Sequence, residues 1–417
     1  MRVLVLDGHE NQAVASVRSL ARAGYWVEVG SPYSWSKAGL ARDCRRSFTY
    51  PAPQKDLEAF VACVAEEVKK SPGALVLPMT ERTTLPLSAH REMIFAAQGR
   101  LVMPPHETVL RAFDKYQTTE LACSLGITTP RTLLLKDATQ AAEVVHNFPL
   151  PAVLKPRSSE EVSGEGQVRA TGAPLYARNP SEFLRAYSEL RQRCTVVLAQ
   201  EFIEGFGAGY FALMRDGELR AEFAHRRVRD VRPTGSGSAV RLSIKPDPQV
   251  REASLALLQA LRWHGPAMVE FRIRPDGVPV FMEVNGRFWN SLALAIYAGV
   301  DFPSLTCMLA EHGDVKPVCS YRVGVRCRWM LGDFRHLLEV WKGKPEGFPG
   351  SFPGRLRTLW DFLKPVPGTF HDNFNLRDPL PEIADWVEFA VRRLPEALRK
   401  NSSRQHEMHA QRGYSRS

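Results

Sequence analysis

The stretch from Val269 to Arg287 constrains this chain more than any other. It reads Val269-Glu270-Phe271, a Pro275-Asp276-Gly277 turn, then Phe281-Met282-Glu283-Val284-Asn285-Gly286-Arg287. Two apolar runs around such a turn predict a β-hairpin. Side chains alternate along a strand, so Glu283 and Asn285 share a face, and Glu270 on the partner strand can join them across the ladder. Phe271, Val280, Phe281, Met282 and Val284 predict that both strands are largely buried, where a carboxylate without a partner is costly. Two carboxylates and an amide oxygen form a hard-oxygen site suited to Mg²⁺ bridging nucleotide phosphates, which makes Glu270, Glu283 and Asn285 candidate metal ligands. Arg287, two residues on, can grip a phosphoryl oxygen or a carboxylate. The bland alternative, a solvated acidic edge balanced by arginine, fits the apolar flanks poorly.

Two lysines add to this. Lys115 opens a helix that runs to Leu125, and Lys155 ends the apolar strand Pro151-Ala152-Val153-Leu154. The loop that follows over 156–166, with Ser158, Ser163 and Gly164, can cover phosphate oxygens with its amides while the lysine touches them. The chain has no GxxxxGK[ST] motif and is not a P-loop protein. Val197-Leu198-Ala199-Gln200-Glu201-Phe202-Ile203-Glu204-Gly205 reads as a strand entering a polar connector. Such a connector can offer backbone groups to an adenine edge while apolar side chains sandwich the ring.

At the N-terminus, Val3 to Leu6, a helical pattern from Ala13 to Ala21 stopped by Gly24, and Val27 to Val29 form a βαβ unit. Residues 1–105 are therefore expected to be a doubly wound α/β domain. Gly8 stands alone where a dinucleotide fingerprint needs three glycines, so this turn is read as scaffold and not as an NAD or FAD site. Mixed strands and helices follow over 106–205, including helices at 138–146 and 180–191. Antiparallel strands with one helix, 249–261, fill 206–320. A Trp- and Arg-rich extension over 321–400 carries a strand at 321–329, a helix at 333–341 and a loop at 343–354. The polar, basic tail over 401–417 is expected to be disordered.

The net charge of +10 is unevenly placed. Nine basic residues face four acidic ones between Arg322 and Lys364, and five face one from Leu398 to Ser417, which leaves the rest close to neutral. That distribution argues against a nucleic-acid groove across the molecule. Seven cysteines without a CxxC pair fit neither a disulfide scaffold nor a zinc ribbon. The N-terminus turns polar too early for a secretory signal and no apolar run approaches about 18 residues, so a cytoplasmic location is expected.

Taken in order, Asp114-Lys115, strand-Lys155-Pro156 with its Gly/Ser loop, Gln200-Glu201-Phe202-Ile203-Glu204-Gly205, Glu270, and Glu283-x-Asn285-x-Arg287 resemble the ATP-grasp superfamily. Biotin carboxylase, carbamoyl phosphate synthetase and D-alanine–D-alanine ligase belong to it, and the resemblance covers residues 3–312. It implies an α/β and α+β chain, the N-terminal doubly wound domain being followed by a two-lobed ATP-grasp fold, with a small lobe over 106–205 and a large lobe over 206–320. It further implies that Lys115 and Lys155, with Ser158, Ser163 and Gly164, contact ATP phosphates. Gln200 to Ile203 would form the adenine hinge, with Glu201 and the Ile203 backbone foremost. Glu270, Glu283 and Asn285 would hold one or two Mg²⁺, or Mn²⁺ in its place, and Arg287 would stabilise the transferring phosphoryl group or an acyl phosphate.

Two features depart from the pattern. The phosphate loop carries Glu160, Glu161 and Glu165, which repel phosphates unless they point outward or bind a metal or an amine substrate. The acidic residue expected shortly after the hinge to hold the ribose is missing from Phe206 to Tyr210, and Glu204 is the substitute on offer.

His225 to Arg229 beside the turn at 233–238 resembles the equivalent part of uncharacterised carboxylate-amine ligases, and Arg227 is taken from it as a catalytic candidate that grips a substrate carboxylate. The implied activity is ATP-dependent ligation of a small-molecule acid to an amine through an acyl phosphate. The alternatives are a kinase-like phosphotransferase and a nucleotide-binding protein without turnover. The aromatic and basic residues of the extension either pack against the body or make weak contact with an anionic membrane surface. The resemblance also implies a homodimer.

Overall fold

A computed structural model describes residues 1–158, 160–162 and 168–393. The expected residues Ser163 and Gly164 and the tail over 401–417 lie outside the described residues.

The N-terminal strands Arg2–Val5, Trp26–Ser31, Arg46–Thr49 and Leu75–Leu77 form an all-parallel sheet with Arg2–Val5 between Trp26–Ser31 and Leu75–Leu77. The run Val3-Leu4-Val5-Leu6 is apolar throughout because both faces are covered. Val3 and Val5 join the core that contains Val14, Val17 and Leu20 of the helix Asn11–Arg22. Leu4 and Leu6 join the one that contains Phe60, Val61 and Val64 of the helix Leu57–Lys69. Helices on both faces make the domain doubly wound.

A second sheet is antiparallel, in the order Thr132–Leu135, Val197–Glu201, Ala152–Pro156 and Leu175–Ala177. One face packs under the helices Ala138–Val144 and Pro180–Arg191 through Ala152, Leu154, Ala177, Phe183 and Leu190. Asn179 caps the second helix and Pro180 begins it. Val153, Lys155, Tyr176 and Gln200 are left on the opposite face, where the cavity described below opens. The segment expected to be a phosphate loop contributes the strand Glu160–Val162, which pairs with Val168–Ala170. Short alternation within a Gly-rich stretch hides such a hairpin from sequence reading.

The third sheet has seven strands, in the order Pro279–Asn285, Gly265–Ile273, Phe206–Arg215, Glu218–Arg232, Ser236–Ser243, Arg326–Arg328 and Thr369–His371. All neighbours are antiparallel except the last pair. The helix Pro248–Ala260 covers one face with Leu257 and Leu258 against Tyr210, Val269, Phe271 and Phe281. On the other, Phe288, Trp289 and Leu294 share a single core with Val14 and Leu20 of the N-terminal domain. The site strands are thereby fixed to that domain.

The residues after 320 add the two outer strands to this sheet. The strand expected over 321–329 shrinks to Arg326–Arg328 because Tyr321 uses its side chain instead of a ladder: its hydroxyl accepts from Ala224 N and donates to Ile244 O. The expected helix is longer, Met330–Lys342. Buried ion pairs Arg18–Asp378, Lys37–Asp385 and Arg241–Asp372 bind the extension to the body. Its aromatics are spent on packing in the main: Phe334 meets Phe362, Trp386 and Phe389, and Phe348 meets Tyr176 and Phe202. That packing answers the expectation of weak membrane contact, although Trp341 and Trp360 point outward. Among the described residues no single helix is long and apolar enough to cross a membrane.

Candidate active site

Glu270 and Glu283 are cross-strand partners, and Asn285 lies opposite Met268 on the same pair of strands. The register slips here. Glu270 pairs with Glu283 while Phe271 pairs with Phe281, so Met282 is an extra residue that opposes nothing. This β-bulge resolves a conflict that strict alternation leaves, because Phe281 and Glu283 would otherwise share a face. With the bulge, Phe281 and Val284 enter the core beside Phe271, whereas Met282 and Glu283 both line a cavity of about 290 Å³.

The cavity lies between the second and third sheets. Lys115, Lys155, Ser158 and Thr171 line it on one side, Gln200, Glu201, Phe202 and Ile203 along the connector, and Glu270, Arg272, Met282 and Glu283 opposite. Asp114 places Lys115: its carboxylate accepts from Tyr116 N and Gln117 N as the helix cap and pairs with Arg157 at 2.5 Å. Lys115 N in turn donates to Arg157 O. Lys155 Nζ donates to Gln200 Oε1 at 2.8 Å, and Gln200 Nε2 donates to Thr132 Oγ1 at 3.0 Å. Gln200 thus serves to aim a lysine.

Electrostatics separate the two glutamates. Burial raises the Glu270 carboxyl, and the repulsion of Glu283 adds to this against the pull of Arg227, which pairs with Glu270 at 2.6 Å. Burial also works to raise Glu283, but Lys115 at 3.9 Å, Lys155 and an Asn285 amide hydrogen bond of 3.2 Å hold it below its ordinary value. Lys155 is pushed down to about 8 by burial, with Lys115 helping and Glu283 opposing. A buried lysine facing a second cation and two carboxylates is a functional-site signature.

Of the other expected residues, Arg287 donates to Asn285 Oδ1 at 2.9 Å and reaches Glu81 of the N-terminal domain at 3.8 Å, beyond the cavity wall. Arg227 sits behind Glu270, paired also with Asp230 at 3.7 Å, and borders a neighbouring cleft. Glu204 lines that cleft, which shares Phe202 and Arg272 with the cavity. Sequence reading missed Arg272 and Tyr176, which line the cavity from strands with no motif of their own, while Thr234 comes from the turn at 233–238 that it placed beside Arg227.

The donor set fits a hard divalent cation. Two carboxylates and an amide oxygen stand together, each now held by a cationic or amide group. Among the described residues there is no group of three His, Cys, Asp or Glu side chains that could hold a metal.

The chain is 28% identical over 239 residues to the carbamoyl phosphate synthase large chain of Methanoculleus marisnigri, a match covering 54% of this chain and 22% of that protein. It is 27% identical over 212 residues to the D-alanine–D-alanine ligase of Nitrosospira multiformis, covering 46% of this chain and 64% of the ligase. The biotin carboxylase domain of the Hydrogenobacter thermophilus 2-oxoglutarate carboxylase, solved with MgADP, ADP and bicarbonate, matches with a TM-score of 0.60 at 14% identity, over 78% of this chain and 73% of that one. The chain has the ATP-grasp fold. No family model matches it. The chain spans less than two thirds of either curated relative. The second sheet falls within residues 106–205, expected as the small lobe, and five strands of the third fall within 206–320, expected as the large lobe, with the cavity between the two sheets.

Proposed function

We propose that this chain is an ATP-dependent ligase that activates a small-molecule carboxylate as an acyl phosphate and joins it to an amine, releasing ADP and phosphate. The observation that carries this reading is the convergence of Lys115, Lys155, Glu270 and Glu283 on one cavity that Val153, Met282 and Ile203 also line. Those apolar side chains suit a flat base. The N–H groups of Glu201 and Phe202 are spent on Arg131 O and Pro151 O, which leaves Ile203 as the connector residue to meet an adenine edge.

Lys115 and Lys155 then hold the polyphosphate. Glu270, Glu283 and Asn285 would hold Mg²⁺, or Mn²⁺, which neutralises phosphate charge when bound. Arg227 opposes the burial-driven rise of the Glu270 carboxyl and fixes it, acting as a positioning residue. Arg287, anchored between Asn285 and Glu81 beyond the cavity wall, holds the Asn285 oxygen and adds positive charge behind the phosphoryl site. A carboxylate oxygen of the acid attacks the γ-phosphorus and its bond to the ADP oxygen breaks. The amine nitrogen then attacks the acyl carbon, phosphate leaves, and the nitrogen loses a proton. No covalent enzyme intermediate is needed, in keeping with a site built from charges.

The relatedness to D-alanine–D-alanine ligase supports amide formation over a kinase-like outcome. The test is ADP release in the presence of ATP, Mg²⁺ and pooled small acids and amines. Release that requires both an acid and an amine is expected, and robust release with neither would overturn the ligase reading.

A further inference from the structure

The segment between the helices Met330–Lys342 and Arg355–Leu363 leaves the large lobe, touches the small lobe and returns. At its middle stands Phe348, buried at 5% exposure. Its ring lies edge-on to Tyr176 at 5.0 Å and to Phe202 at 5.8 Å, and those two rings meet each other at 6.1 Å. Three mutually perpendicular aromatic contacts give a packing that admits little sliding. Tyr176 is on the small lobe, Phe202 on the connector, and both line the cavity, whereas Phe348 does not. The Tyr176 hydroxyl donates to Thr234 O in a turn of the large lobe at 3.0 Å.

The chain is shaped for this approach. Gly347 adopts φ 76°, and a Cβ there would come within 3.1 Å of Tyr176 O. A Cβ on Gly350 would meet the Phe348 ring at 2.8 Å and the Phe202 ring at 3.1 Å. Small residues on either side let the phenyl ring reach between the lobes. Glu346 adds a pair with Arg185 of the small lobe at 3.4 Å, but both side chains are largely exposed and the pair is weak.

We propose that Phe348 is a positioning residue for the nucleotide: the extension reaches back across the hinge and braces Phe202 and Tyr176, so that the outer wall of the cavity is set before the base arrives. Preorganised walls raise affinity by sparing the ligand the cost of ordering them. This rests on the reading of the cavity as a nucleotide site.

The experiment is titration of the full chain with a fluorescent ADP analogue without metal, alongside KM for ATP and kcat. Phe348→Ala is expected to weaken nucleotide binding about tenfold and to raise KM for ATP by a similar factor, with kcat at saturating ATP changed less than twofold. Phe348→Leu, which keeps most of the buried volume, is expected to restore most of the affinity. Trp360→Ala, on the exposed face of the next helix, is expected to bind as the wild type does. Wild-type affinity in Phe348→Ala would overturn the proposal, and so would an affinity loss that Phe348→Leu does not relieve. A wild-type chain that binds no nucleotide would overturn the nucleotide reading itself, which is a different result.

Discussion

Arg227 and Glu270 form a buried ion pair at 2.6 Å across the strand Phe206–Arg215 that separates their own strands, with side-chain exposures of 10% and 17%. Glu270 faces Glu283 across the hairpin, so without the guanidinium two carboxylates would share one buried site. Removing one partner of such a pair leaves an uncompensated charge and typically costs about 3–5 kcal/mol. Arg227→Met is expected to lose stability on that scale in urea unfolding. The double variant Arg227→Met/Glu270→Gln is expected to recover much of it, a coupling that a double-mutant cycle reads directly.

Lys155 gives the site a pH dependence. Its ammonium is protonated up to about 8, where an ordinary lysine holds its proton well beyond that. Nucleotide affinity is therefore expected to be level near pH 7 and to fall as pH rises through 8, because the neutral amine attracts no phosphate. Lys155→Arg, which keeps the charge, is expected to move that inflection out of the range between pH 6.5 and about 9.5. Equilibrium titration of ADP over that interval checks both.

Much of this site was legible because the residues that carry charge stand at spacings that only certain elements satisfy. Glu283 and Asn285 are two apart, and Lys155 closes an apolar run. What sequence could not give is the bulge at Met282, since an inserted residue has no signature except the conflict it relieves between Phe281 and Glu283. The Phe348 contact was equally hidden. It joins residues far apart in the chain, and an aromatic in a Gly- and Pro-rich segment reads as loop.

Gly205 is a position where backbone geometry and the hinge are inseparable. Its φ of 138° is a conformation L side chains rarely adopt, and a Cβ would stand 2.0 Å from Ile273 O. Its carbonyl accepts from Arg272, a cavity residue, at 2.5 Å. Gly205→Ala is expected to destabilise the chain by about 2 kcal/mol or more from strain alone and to weaken nucleotide binding as Arg272 is displaced. Unfolding midpoints and ADP titration on the same sample check both effects.

Glu382 supplies a stability test far from the cavity. Burial raises its carboxyl to about 7, with Asp385 and Asp372 adding to the rise and a Trp386 indole hydrogen bond of 2.7 Å opposing it. The folded chain therefore keeps a proton that the unfolded chain gives up near 4.5. The stability this confers is complete below 4.5, is lost as pH climbs towards 7, and stays lost above it. Glu382→Gln mimics the protonated side chain at every pH. It is expected to match the wild type in acid and to exceed it in mild base by up to about 3 kcal/mol, the free-energy equivalent of the gap between the folded and unfolded proton affinities. Subtracting the two melting profiles across that interval isolates this carboxyl from all others. A difference that stays flat with pH would mean that Glu382 titrates as an ordinary surface carboxylate.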